Sequence, residues 1–216
     1  METSQPLRLA ICASGRGTNF EAILEAIRSG RLDAHVEMVI SNNLNAGVME
    51  IARRNGIPTL HVDEQRYSCV EEFSHRWLIE LSQRSVNFIA LAGYLKKVPL
   101  GVVHAFRNRI LNIHPALLPA FGGPGMYGHH VHEAVLARGC KVSGATVHIV
   151  DEEYDNGPIV MQRCLEVLDN DTSETLAARV LKVEHKIYPE ALQLFANNRV
   201  KVDGRRVFIL PKLNDA

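Results

Sequence analysis

Leu7-Arg-Leu-Ala-Ile-Cys-Ala13 is an apolar run that stops at Ser14-Gly-Arg-Gly-Thr-Asn19 and gives way to Phe20–Arg28, where Ala22, Ile23, Ala26 and Ile27 recur at helical spacing. A short run with little polar alternation suits a strand buried on both faces. Strand, glycine turn, helix is the opening of a βαβ unit, and the pattern repeats. Val36–Ser41 reads as a second strand, and Ala46–Asn55 as a helix stopped by Gly56 at a left-handed cap position. Thr59–Val62 is a third strand. Ser68–Glu71 has the spacing of a capping box ahead of the amphipathic residues Phe73, Trp77, Leu78 and Leu81. Val86–Ala92 is a strand closed by Gly93, Pro99 opens a helix reaching Phe106, and Arg109–Ile113 is a strand running into His114-Pro115. Strands alternating with helices in this way predict a mostly parallel sheet with helices on both faces.

The second half changes character. Pro115–His130 is rich in Pro and Gly and reads as a long functional loop. A helix over Val131–Arg138 precedes a strand over Ser143–Val150. The turn Asp151–Gly157 and the strand Ile159–Leu168 then add an antiparallel hairpin. Asp171-Thr-Ser-Glu174 has a second capping-box spacing and opens a helix toward Asn197, which Pro189 should bend or interrupt. Val200–Leu210 reads as one final strand, placed at an edge. The expected class is α/β: a twisted, mostly parallel sheet with an antiparallel C-terminal portion.

Composition narrows the function. Lys+Arg and Asp+Glu are both 24, so no net positive field exists to hold a nucleic acid or an anionic membrane. Any bound anion must be small and locally held. No stretch of 18 apolar residues suggests a membrane span. Met1–Pro6 is polar, without the apolar core of a signal peptide, which points to a cytoplasmic protein. Cys12, Cys69, Cys140 and Cys164 are widely spaced and form no CxxC pair, so neither a disulfide framework nor a zinc cluster is expected.

Three segments carry chemistry. In Ser14–Asn19 the glycines let the backbone turn sharply, and the following helix offers unpaired N–H groups to a phosphate at Gly17, Thr18 and Asn19. The segment matches neither GxxxxGK[ST] nor a full GxGxxG, so a single phosphate suits it better than a triphosphate or dinucleotide. The competing reading is a plain turn with Thr18 or Asn19 as helix cap. In Leu111-Asn-Ile-His-Pro115, Asn112 and His114 stand two apart on a strand and project to one face. An amide donor beside an imidazole can stabilise an oxyanion and move a proton. A core histidine satisfied by backbone is the alternative. Asp151-Glu-Glu-Tyr-Asp-Asn-Gly157 is either a solvated turn or the source of a carboxylate for His114, from Asp151 or Asp155. His129, His130 and His132 lack a carboxylate or cysteine at ligand spacing, so no metal is expected. Lys96 and Lys97 form either an anion contact or a solvated pair.

Taken together, SGRGTN at 14–19, LAGYLKKV at 91–98, LNIHPALLP at 111–119, SGATVHIV at 143–150 with YDNGPI after it, and VEHKIYP at 183–189 resemble the phosphoribosylglycinamide formyltransferases. The resemblance runs through essentially the whole chain. It implies a single Rossmann-like formyltransferase domain, with a nucleotide-binding half at about 7–110 and a catalytic, folate-binding half at about 111–210. It also implies formyl transfer from 10-formyltetrahydrofolate, as co-substrate, to the amine of glycinamide ribonucleotide, by a monomer or homodimer that needs no metal. Matching motif to motif assigns catalysis to Asn112, His114 and Asp155, the last because it directly precedes Asn-Gly-Pro. The phosphate falls to Gly17, Thr18 and Asn19. Pro115 and the segment Leu181, Lys182, Val183 and Glu184 fall to the rest of that substrate. The folate falls to Leu95, Lys96, Lys97 and Val98 with Val150, Asp151, Glu152, Glu153 and Tyr154. Two features depart from the family: a longer, glycine-rich stretch from Pro119 to His132, and Cys69 or Val70 where some members place a folate-tail arginine. Methionyl-tRNA formyltransferases carry a further basic domain and formyltetrahydrofolate hydrolases a further N-terminal one. A first strand at Leu7 and a neutral chain fit neither expectation. A non-catalytic nucleotide-binding module is the remaining rival, and the intact Asn112, His114 and Asp155 speak against it.

Overall fold

The computed structural model describes residues 6–212. Most of the polar N-terminal stretch read as leaderless therefore lies outside the described residues. A seven-stranded sheet has the order β3-β2-β1-β4-β5-β6-β7. Its strands are β1 (Leu7–Cys12), β2 (Ala34–Ser41), β3 (Thr59–His61), β4 (Phe88–Leu91), β5 (Ile110–His114), β6 (Val142–Ile149) and β7 (Ile159–Glu166). The first five are mutually parallel, whereas β5–β6 and β6–β7 are antiparallel.

Alternate strand residues feed two cores. Leu9 and Ile11 of β1 join Phe20 and Ile23 of α1 (Thr18–Arg28), Val48 of α2 (Gly47–Arg54) and Val180 and Ile187 of α6 (Ser173–Ala196). Ala10 and Cys12 point the other way, to Trp77 of α3 (Val70–Gln83) and Val102 of α4 (Leu100–Ala105). A strand covered by helices on both sides has no solvated face, which is why its sequence shows no polar alternation. The remaining helix, α5 (His129–Ala137), follows the glycine-rich loop. Among the described residues no helix is long and apolar enough to cross a membrane.

Four local expectations are corrected. The box at Ser68–Glu71 does not form. Cys69 is the N-cap without a side-chain bond, and the Ser68 N–H and hydroxyl both donate to Glu72, one residue further on. At α6 the reciprocal box is Thr172 with Thr175, because Asp171 instead accepts from Arg179 and from the Leu168 N–H. Pro189 does not interrupt α6, which runs on for 24 residues. Tyr188, Ala191 and Leu192 are buried on either side of it, and that packing outweighs the roughly 3 kcal/mol a helical proline costs. Finally, Val200–Leu210 is not one edge strand. It is a hairpin of β8 (Val200–Asp203) and β9 (Arg206–Ile209), forming a separate two-stranded sheet whose turn begins at Gly204, φ +56°. The two turn residues are Gly204 and Arg205, and Gly at the first turn position is a common hairpin signal.

Candidate active site

Between β1 and β4 the sheet reverses its direction of winding, and the carboxyl ends of those strands open a crevice. Ser14 ties the two loops there together. Its N–H donates to the Gly93 carbonyl (3.0 Å), and its hydroxyl donates to Asn42 (2.5 Å) and accepts from the Leu95 N–H (2.8 Å). Gly17 is the N-cap of α1 at φ +87°, and a Cβ there would lie 2.9 Å from Val48 Cα, so glycine is required by both backbone and space. No side chain caps the helix. Thr18 and Asn19 are its first residues, so their N–H groups have no partner within the helix and suit an anion. The cap reading of Thr18 or Asn19 is thereby set aside. The Asn19 amide donates instead to Glu184 (2.7 Å), and its Oδ1 is buried without a partner.

Glu184 reaches this point because of α6. One turn on, the buried Tyr188 hydroxyl lies 3.0 Å from the carbonyls of both Leu91 and Leu111, fixing the helix over the ends of β4 and β5. Residues four apart share a helix face, so Glu184 is held over the crevice, with Leu181 beside it. Burial raises the Glu184 carboxyl pKa, opposed in part by the Asn19 amide. Lys182 and Val183, expected here as a continuous run, do not border the crevice. Lys182 is exposed and Val183 packs on the core, because helical rotation turns both away.

The β5–β6 register assembles the second cluster. Asn112 pairs with His148, and His114 with Thr146, so all four side chains lie on one face. His148 Nδ1 lies 2.9 Å from the Ile149 carbonyl. Its Nε2 lies 3.1 Å from the Asn112 amide nitrogen. Asp155, at φ +51°, puts Oδ2 3.5 Å from His114 Nδ1 and Oδ1 3.6 Å from His148 Nε2, with the Asn112 amide at 3.4 Å and the Gly123 N–H at 3.0 Å. Of the two carboxylates left open by the sequence, Asp155 is the one beside His114. Asp151 shapes the turn by accepting from the Glu153 N–H and the Asn156 amide. His114 Nε2 lies 2.8 Å from the carbonyl of Phe121, another residue at positive φ (+55°). Strained non-glycine residues concentrate at functional sites. Thr146 braces the next segment, donating to Ala116 (2.6 Å) and accepting from the Leu118 N–H (3.0 Å).

Burial lowers the His114 pKa; the Asp155 charge and the Phe121 carbonyl work against that and His148 reinforces it. The resting imidazole is therefore neutral near pH 7. Burial works to raise the Asp155 pKa, yet the His148 bond, the neighbouring His114 ring and the Gly123 N–H outweigh it, and the carboxyl stays ionised. His132, buried alongside with Nδ1 unpartnered, is pushed down to about 4 by burial and by His129 and His114. His148 was missed by sequence reasoning, although Gly144, Thr146 and His148 alternate with Ala145, Val147 and Ile149, a pattern that marks one face as different.

Both clusters border a single cleft of about 820 Å³, lined by Gly17, Thr18, Asn19 and Glu184 and by Asn112, His114, Pro115 and Asp155. Leu95, Lys96, Lys97 and Val98 line it too, with Val150, Asp151, Glu153 and Tyr154. Lys97 Nζ lies 5.9 Å over the Tyr154 ring. Glu152, expected in this lining, turns outward to His104 at 2.9 Å. Among the described residues no three His, Cys, Asp or Glu side chains are grouped to hold a metal. Burial raises the pKa of the Cys12 thiol, and the other cysteines lie outside the cleft.

Residues 7–192 match the formyl transferase family. The chain is 45% identical over 195 residues to the chloroplastic phosphoribosylglycinamide formyltransferase of Arabidopsis thaliana, covering 90% of this chain and 67% of that protein. It is 37% identical over 194 residues to the phosphoribosylglycinamide formyltransferase of Bacillus subtilis, covering 89% of this chain and 97% of that one. The crystal structure of glycinamide ribonucleotide transformylase 1 from Symbiobacterium toebii superposes with a TM-score of 0.90 at 42% identity, over 97% of this chain and 96% of that one. A glycine-loop crevice joined through one cleft to an Asn, His and Asp cluster thus comes with relatives of the same architecture, and the chain belongs to the formyl transferase family, in its phosphoribosylglycinamide formyltransferase branch.

Proposed function

We propose that this protein transfers the formyl group of 10-formyltetrahydrofolate to the primary amine of N1-(5-phosphoribosyl)glycinamide in purine biosynthesis. One observation carries the reading: an anion cradle and an oxyanion-and-proton cluster line one cleft. The half at about 7–110 binds the phosphate at the N–H groups of Gly17, Thr18 and Asn19. Glu184 and the free Asn19 Oδ1 accept from the glycinamide ribonucleotide donors, and Pro115 borders them. The half at about 111–210 supplies catalysis, and both halves contribute to the folate wall, where Val98, Val150 and Tyr154 offer apolar and aromatic surface and Lys96 and Lys97 positive charge.

The amine nitrogen attacks the formyl carbon, and the carbonyl oxygen becomes an oxyanion. The Asn112 amide and the His114 Nε2–H donate to it, the latter exchanging the Phe121 carbonyl for the new oxygen. A proton leaves the amine through water to His114 Nδ1, the nitrogen that faces Asp155, so the imidazolium forms beside a carboxylate already ionised. Collapse expels tetrahydrofolate N10, which takes the proton back. A donor of this kind is worth about 10²–10³ in turnover and the proton transfer about 10²–10⁴. The chain's residues need no covalent intermediate. We place the enzyme in the cytoplasm, as a monomer or homodimer, without nucleic-acid or membrane partners.

The test is turnover of both substrates by purified protein without added metal. Formylated product and tetrahydrofolate in equal amounts are expected. Release of formate from the folate alone would make the protein a hydrolase, and no reaction would reject catalysis.

A further inference from the structure

The turn that carries Asp155 is held from outside by an element with no other part in the site. We infer that Arg205, at the tip of the β8–β9 hairpin, is a positioning residue that sets the Asp155 carboxylate against His114 and His148 by holding the Asn156 carbonyl. This deepens the proposed reaction and rests on it for its kinetic consequence.

The geometry is specific. Arg205 follows Gly204 in the two-residue turn, 49 residues beyond Asn156, and its guanidinium donates to the Asn156 carbonyl at 2.5 Å, with Asn156 Oδ1 at 3.5 Å. Asn156 in turn donates its amide to Asp151 (3.1 Å). The far side of the turn is fixed by Gly157, where a Cβ would fall 1.8 Å from the Ile149 carbonyl, and by the Ile149 N–H donating to Pro158. Asp155 directly precedes these anchors, in a left-handed conformation that L residues disfavour. Its carboxylate is held at the cluster end by the Gly123 N–H and the Asn112 amide, and the backbone that presents it is held from the turn. The charge-assisted bond from Arg205 fixes the Asn156–Gly157 peptide, one peptide beyond Asp155, and so limits how far the turn can relax away from the cluster. Arg206, the adjacent arginine, stacks on Phe208 at 4.8 Å and provides a control on the same hairpin.

The carboxylate's position can be read without turnover. Around His114 stand Asp155 from the turn, His148 from β6, His132 from α5 and the Phe121 carbonyl from the loop. Of these only Asp155 carries negative charge. Its withdrawal therefore lowers the His114 titration midpoint, followed by NMR of the ring in the ligand-free protein.

The experiment compares wild type with R205A, R205K and R206A. For R205A we expect a lower His114 midpoint, kcat down about tenfold, the size of a charge-assisted bond partly exposed to water, and both KM values within twofold. R205K restores most of both losses, and R206A matches wild type. An unchanged His114 midpoint in R205A, unchanged kcat, or an equal loss in R206A overturns the inference. If wild type itself fails to turn over, the proposed reaction falls, while the ring titration still decides the role of Arg205.

Discussion

Replacing Asp155 by Asn removes one negative charge and little volume, so it isolates electrostatics from packing. The carboxylate lies 3.5 Å from the His114 nitrogen that is to receive a proton. At an effective dielectric of about 20 a pair near 4 Å interacts by about 4 kcal/mol. Because the carboxylate also faces His148 and the Gly123 N–H, only part of that reaches His114, and we expect a loss of about 10²–10³ in kcat. The pH profile gives the sign. Wild-type turnover needs neutral His114, whose pKa lies below 6.5 through burial, so the rate falls as pH drops through that value. Without the carboxylate the imidazolium is less stable, and the acid limb moves to still lower pH while the plateau falls. Steady-state rates of tetrahydrofolate release from pH 5 to 9 measure both. Calorimetric affinity for glycinamide ribonucleotide should stay within a few-fold, since its phosphate is held by the glycine loop and not by Asp155. A variant with kcat within tenfold of wild type, or a limb displaced upward, refutes the assigned role.

Glu184→Gln should weaken glycinamide ribonucleotide binding at least tenfold by calorimetry without lowering the melting temperature at pH 8. Burial raises the pKa of this carboxyl, so its ionisation costs stability as pH rises above 4.5, and the neutral amide relieves that cost. Gly17→Ala should destabilise the fold by about 1–3 kcal/mol in urea melts and abolish phosphate-dependent binding, because its φ is +87° and its Cβ would press on Val48. A variant that binds normally would remove the anion cradle from the argument. His132 titrates near 4 in the folded protein against 6.5 when free. The unfolded chain therefore binds the extra proton between those values, and stability is lost as pH falls from 6.5 toward 4. His132→Gln should flatten the melting-temperature profile over that interval, and an unchanged slope would show that other groups set it.

How much of this could be read from the chain depended on the distance over which each signal acts. The β1–loop–α1 unit is legible because a strand covered on both faces and a glycine turn are written in consecutive residues. Asn112 and His114 are legible for the same reason, their spacing of two being a local rule. Helix caps are local as well, yet both boxes slipped: at Ser68 the acceptor is Glu72 rather than Glu71, and at Asp171 Arg179 and the Leu168 N–H compete for the carboxylate. The stretch Val200–Leu210 reads as one strand although Gly204 marks its turn. Lys182 and Val183 were included as a run when only residues three and four apart, Leu181, Glu184 and Tyr188, share the face that matters.

His148 shows a different limit. Seven of the eight β6 residues are buried, so a histidine among them reads as core until one knows which residue of β5 stands opposite. Register supplies that, by pairing it with Asn112. The same holds for the choice between Asp151 and Asp155. Both belong to one acidic turn, and what separates them is a left-handed backbone at Asp155 that composition does not dictate. Local pattern can thus nominate the groups able to do chemistry. Which of them meet is decided by contacts such as Asn112 with His148 and Arg205 with Asn156, made between segments whose separation no periodicity in the sequence encodes.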